Sequence, residues 1–172
     1  MNTLHLLRRH LPGLGALFWS ASAMSTPASS ATSAAPLHCS GQFKVRLLPP
    51  EAMDAPPGAP AMARRKLEKS FEGGLQGQSL GEMLAAGLPP QGEAAYVALE
   101  SFTGTLDGRP GGFAMAHLGL MHAGGQSLRI AIVPGSGSGA LAGITGELTL
   151  RIAAGVHHYE LAYALPASAS SQ

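Results

Sequence analysis

One cysteine, Cys39, occurs in 172 residues, so no internal disulfide can staple this chain and its core alone must stabilise it. Charge is equally scarce. Charged residues make up 12 % of the sequence and the net charge is +1. Without the first two dozen residues, nine Lys/Arg face ten Asp/Glu, and a near-neutral domain lacks the electrostatic footprint that nucleic acid requires. A long apolar run is also missing. The stretch Leu11 to Trp19 is too short for a permanent membrane anchor. Neither a phosphate loop ending in Lys-Ser/Thr nor a G-x-S-x-G nucleophile elbow is present, and Cys39 lies at the domain edge, leaving covalent catalysis without a candidate. His157 and His158 are adjacent, and His117 and His122 are five apart. Each pair points apart on a strand, so no metal site and no cofactor is expected.

What is present is glycine, 23 residues of it, with helix-weak composition through the middle of the chain. That favours short strands joined by tight turns in one domain. Residues 1–23 read as a secretion signal: Arg8-Arg9-His10, then the short apolar run, then Ala21-Ser22-Ala23 as a small-residue cleavage site. The expected location is therefore periplasmic or secreted, by the general or the twin-arginine route. Residues 24–39 form a Ser/Ala/Pro-rich spacer, 40–165 the domain, and 166–172 a polar tail.

Within the domain the alternation of apolar and polar residues predicts eight strands. Gln42 to Leu47 places Phe43, Val45 and Leu47 on one face, and Arg64 to Glu72 follows with Leu67 and Phe71 sharing a face. The cluster Arg64, Arg65, Lys66 and Lys69 reads as a solvated strand edge. Gly73-Gly74 reverses into Leu75 to Ala85, where Leu75, Gly77, Ser79, Gly81 and Met83 share a face and Leu80, Glu82 and Leu84 lie opposite. Ser127 to Pro134, Gly146 to Ile152 and Val156 to Leu165 complete the set around a central hairpin. Gly137 to Ala142 matches the dinucleotide fingerprint loosely, but a strand follows where a helix is needed, so it reads as a flexible hairpin loop. An eight-stranded antiparallel meander removes its two costly edges by closing, and the expected fold is a closed all-β barrel.

The central hairpin spans Gly92 to Gly124 about the turn cluster Asp107 to Gly112 and carries Glu100 and His117. Any even loop puts these two on one face, and an odd loop would put them on opposite faces. A Gly108-Arg109 loop sets them directly opposite, and an Asp107-Gly108 loop makes them diagonal neighbours. Their face also holds Tyr96, Phe102, Phe113, Met115 and Met121, an apolar surround in which a carboxylate beside an imidazole forms an acid/base pair or a structural ion pair. The opposite face of the second strand is apolar too (Ala114, Ala116, Leu118, Leu120), which leaves open which face is inside. Glu82 is weighed as a second interior carboxylate against solvent exposure. His157, Tyr159 and Tyr163 put three polar tips on one face of the last strand, as ligand contacts or as ends of core hydrogen bonds.

The segments GEML (Gly81 to Leu84), YVALESFTGTLDGRPGGF (Tyr96 to Phe113), VPGSGSGALAGITGEL (Val133 to Leu148) and HHYELAY (His157 to Tyr163) resemble a bacterial domain-of-unknown-function family, number 3224, over residues 40 to 165. The resemblance implies a small antiparallel barrel similar to allene oxide cyclase and no established activity. In the matching segments, Glu82, Tyr96, Glu100, His117, His157, Tyr159 and Tyr163 are the polar residues expected to line a pocket. Glu100 and His117 are thus the candidate catalytic pair, and Glu82, Tyr96, Phe102, Met115, His157, Tyr159 and Tyr163 the candidate ligand contacts. The leading function is binding of a small apolar ligand in the barrel. The alternatives are an isomerase or cyclase with Glu100 as base and His117 or Tyr159 as acid or orienter, and a structural homo-oligomer joined through the outer face of the fifth strand. The partners this admits are a small apolar ligand and further copies of the chain, with no nucleic acid and no membrane after signal removal.

Overall fold

In the structure, a computed structural model that describes residues 35–167, the alternating runs become strands hydrogen-bonded in one antiparallel order. The secretion signal and most of the spacer and tail lie outside the described residues. Eight long strands build the wall: β1 (Leu37–Leu47), β2 (Met62–Gly73), β3 (Leu75–Leu88), β4 (Glu93–Leu106), β5 (Arg109–His122), β6 (Gly125–Ile132), β7 (Thr145–Ala153) and β8 (Val156–Ala164). All eight answer to a predicted run. β1 begins at Leu37, ahead of its alternating stretch, so Leu37 to Cys39 belong to the wall and not to the spacer.

Closure comes from β1. Its residues Leu37 to Phe43 pair with Tyr163 to His157 of β8, and Gly41 to Leu47 pair with Gly73 to Leu67 of β2. The sheet therefore ends where it began, and the barrel is closed, eight-stranded and antiparallel. The interior holds one continuous core, in which Phe43, Phe71, Phe102, Phe113, Tyr159 and Tyr163 are all buried. Phe71 meets Phe102 edge-on at 5.5 Å and Tyr159 at 5.8 Å, favoured geometries for aromatic rings.

The two ends differ. At one, the segment between β6 and β7 folds back over the opening and sinks Leu141 and Ile144 into the core with almost no exposed surface. Ala114 N–H donates to Ser136 Oγ at 3.0 Å, Gly112 N–H donates to Ser138 Oγ at 3.1 Å, and Ser138-Gly139 pairs with Gly111-Gly112. This corrects the flexible-loop reading of Gly137 to Ala142: the segment is a plug, because its two branched apolar residues are worth more inside the barrel than in water. Among the described residues the other end has no such cover, and β6 and β7 pair only at Ile130–Leu148 and Ala131–Glu147 before they splay.

Leu141→Ala should cost about 2–4 kcal/mol by urea unfolding, the usual range for a fully buried leucine. A loss below about 0.5 kcal/mol would mean that the plug contributes nothing to the core.

Candidate functional site

The register of the central hairpin decides the site. Asp107 and Gly108 both take positive φ, 47° and 78°, which is the geometry of a two-residue turn matched to strand twist. Leu106 then pairs with Arg109, Glu100 with Met115 and Ala98 with His117, so Glu100 and His117 are diagonal neighbours. Their shared face points inward. Glu100 is 1 % exposed and His117 7 %, with Nε2 standing 3.1 Å from Glu100 Oε2. That approach lacks hydrogen-bond alignment, so the imidazole nitrogen is buried with no properly directed partner.

A third ionisable group completes the cluster. Lys69 Nζ lies 2.5 Å from Glu100 Oε2, and Ser79 Oγ donates to Oε1 at 2.5 Å. Lys69 also sits over the Phe43 ring at 4.7 Å, so a cation and its aromatic neighbour share the interior. This corrects the solvated-edge reading of Lys69. It is in phase with Leu67 and Phe71, and that phase aims it inward however charged its neighbours are. Ser79 likewise occupies the face of Leu75 and Met83. Both were findable from the alternation, but charge clustering hid the lysine, and nothing in the sequence marks a serine among glycines.

Burial pushes the Glu100 carboxyl up, but the His117 contact, the Lys69 charge and hydrogen bond, and the Ser79 hydroxyl together outweigh it and hold the group at about 2. Tyr96 lies one step toward the open end, and burial, then the Glu100 charge, raises its phenol. Its ring lies across Gly119, where any side chain would overlap it; the glycine thus seats the ring instead of leaving empty space.

The remaining candidates divide. Phe102 and Met115 are packed core beside the cluster, directly paired with Ser79 and Glu100. Tyr159 Oη accepts from Leu75 N–H at 2.7 Å, and the Tyr163 hydroxyl donates to Asp107 Oδ2 at 2.7 Å; both phenols are pushed up to about 12, chiefly by burial. They tie the plugged end together, away from Glu100. His157 is half-buried and stacks on Phe43 at 5.0 Å. Glu82 is not in the interior. It stands outside the wall, half-exposed and 4.0 Å from Arg64, because β3 turns Ser79, Gly81 and Met83 inward and so Glu82 outward.

Above the cluster, a cavity of about 520 Å³ opens between the splayed strands, lined by Tyr96, Gly119, Met121, Leu128, Leu150 and Ile152 among others. Ile152, Leu128 and Met121 have inward register yet remain exposed, an apolar mouth that the fold leaves uncovered. A larger depression, about 660 Å³, lies on the outer wall over Leu80 and Leu99, with Glu100 also in its lining. Among the described residues, no three His, Cys, Asp or Glu side chains converge as a metal site would need.

Fold and site together define a small closed antiparallel barrel with a buried Lys–Glu–His cluster below an apolar mouth. The chain belongs to the family described as "Protein of unknown function (DUF3224)", whose profile matches residues 39–163. It is similar to a protein of unknown function from that family in Shewanella oneidensis MR-1, known from a crystal structure, at 37 % identity and a TM-score of 0.70, covering 77 % of this chain and 99 % of that one. No curated protein matches.

Lys69→Met strands an ionised carboxylate in the core and should cost about 3–5 kcal/mol in guanidinium unfolding, with much of it regained in Lys69→Met/Glu100→Leu. Equal stability for the two variants would remove the ion pair from the account. Because the folded Glu100 is held at about 2 against an ordinary 4.5, its contribution is complete above about pH 4.5 and is lost as pH falls toward 2. Glu100→Gln should flatten that acid limb in pH-dependent melts; an unchanged limb would assign it to other carboxylates.

Proposed function

We propose that the protein binds a small, predominantly apolar molecule in the open end of its barrel. The observation that carries this is the exposed inward-facing ring of Met121, Leu128 and Ile152 around a cavity of ligand size, set over polar groups. Binding is favoured over proton-transfer catalysis because a carboxylate held at about 2 is a feeble base near neutrality, so Glu100 is poorly matched to that role. The barrel type proposed is the allene oxide cyclase-like one, which the strand number and uniform antiparallel order support. Export to the periplasm or beyond, resting on the leader of residues 1–23, is part of the same proposal.

A second reading, a homo-oligomer of this chain, rests on the outer wall of β3 to β5, where Leu80 and Leu99 are 65 % and 64 % exposed and Val97, Leu118 and Leu120 are also bare. A second copy is the occupant proposed, and a monomer by light scattering at high concentration would dismiss it.

Leu128→Asp places a charge in the mouth at an already exposed position. It should abolish capture of an apolar fluorescent probe while shifting stability by no more than about 0.5 kcal/mol. Undiminished capture would move the binding site elsewhere.

A further inference from the structure

The polar groups beneath the mouth select which apolar molecules it takes. Lys69 and Glu100 are paired at 2.5 Å, so the cation beside Glu100 is already matched by that carboxylate. Two groups nearby are left without partners. One is His117 Nε2, buried and 3.1 Å from Glu100 Oε2 but without an aligned hydrogen bond to it. The other is the Tyr96 hydroxyl. The phenols of Tyr159 and Tyr163 are committed to Leu75 and Asp107, whereas that of Tyr96 makes no hydrogen bond among the described residues. Tyr96 pairs with Gly119 and His117 with Ala98, so the two side chains are diagonal neighbours on the inward face, within reach of one small group.

We propose that the ligand is an uncharged apolar molecule bearing one hydrogen-bonding oxygen, a ketone, ester or alcohol, seated between the Tyr96 hydroxyl and His117 Nε2. This rests on the binding reading above and adds the chemistry of the head. A buried imidazole nitrogen without an aligned partner costs free energy until something satisfies it, and an oxygen that reaches it also meets the half-buried Tyr96 hydroxyl. A carboxylate head is excluded by charge. It would be desolvated beside the ionised Glu100, and the nearest cation is already spent on that residue. Arg65 also has inward register, but it lies on β2, away from the cavity wall of β4 to β7, whereas His117 lies on β5 one inward position below the lining residue Gly119.

Three probes of equal length separate the terms in calorimetric titrations of the full chain: methyl hexyl ketone, octanoate and octane. The ketone is expected to bind at least about tenfold tighter than octanoate. Tyr96→Phe, which removes only the hydroxyl, is expected to weaken the ketone about threefold to tenfold, the size of one neutral hydrogen bond, and to leave octane unchanged. Octane binding also shows that the variant is folded with its cavity intact. Octanoate binding as tightly as the ketone, or ketone binding indifferent to Tyr96→Phe and to His117→Gln, overturns the head-group assignment and leaves the cavity reading standing. Failure of all three probes to bind overturns both.

Discussion

Everything inside this molecule depends on β1 bonding to two neighbours at once. Over Gly41 to Phe43 the same three residues are paired to β8 on one side and to β2 on the other. Without that overlap the sheet would have two open edges and the inward face of every strand would meet water. The overlap needs an approach that only glycine permits at position 41, where a side chain would run into the Glu72 carbonyl and the Tyr159 hydroxyl. Leu75 N–H then donates to that same hydroxyl, so the seam is fastened by the residue the glycine admits.

Closure creates a low-dielectric interior, and that is why Lys69, Glu100 and His117 behave as a unit. Each ion alone would cost several kcal/mol to bury, and the cost is offset only because they face each other with Ser79 and aromatic faces filling the remaining valences. The same arrangement fixes the chemical temperament of the site. A carboxylate so well solvated by its neighbours gives up its proton readily and takes one back poorly, so the cluster organises hydrogen bonds better than it moves protons. His117 is the member least satisfied by the protein, and it lies on the side nearest the cavity.

The asymmetry of the two ends follows from chain length between strands. Twelve residues from Val133 to Ile144 join β6 to β7, long enough to fold back and plug their end. At the other end two hairpins turn within two residues, Ala123-Gly124 and Ala154-Gly155, and a third within four, Pro89 to Gly92, all too short to fold back over the opening. The longer β1–β2 connection at that end spends its residues on proline-rich backbone and a two-residue pairing of Glu51-Ala52 with Ala63-Arg64. Among the described residues the barrel is stoppered at one end and bare at the other, which is why the proposed binding site is the open end.

Alternation marked the eight strands, because side-chain direction in a strand has period two and needs no knowledge of partners, and it put Glu100 and His117 on one face for any even turn between them. Ser79 and Lys69 were implied by the same parity, but a lysine in a basic cluster looks like a surface residue until the wall is closed around it. Only the tertiary structure decided which face of β5 is inside, since both are apolar, and it decided the diagonal register, since two even turns fit the same residues. It also turned Glu82 outward and Leu141 inward. Those choices rest on contacts between residues far apart in the chain, and no local pattern encodes them.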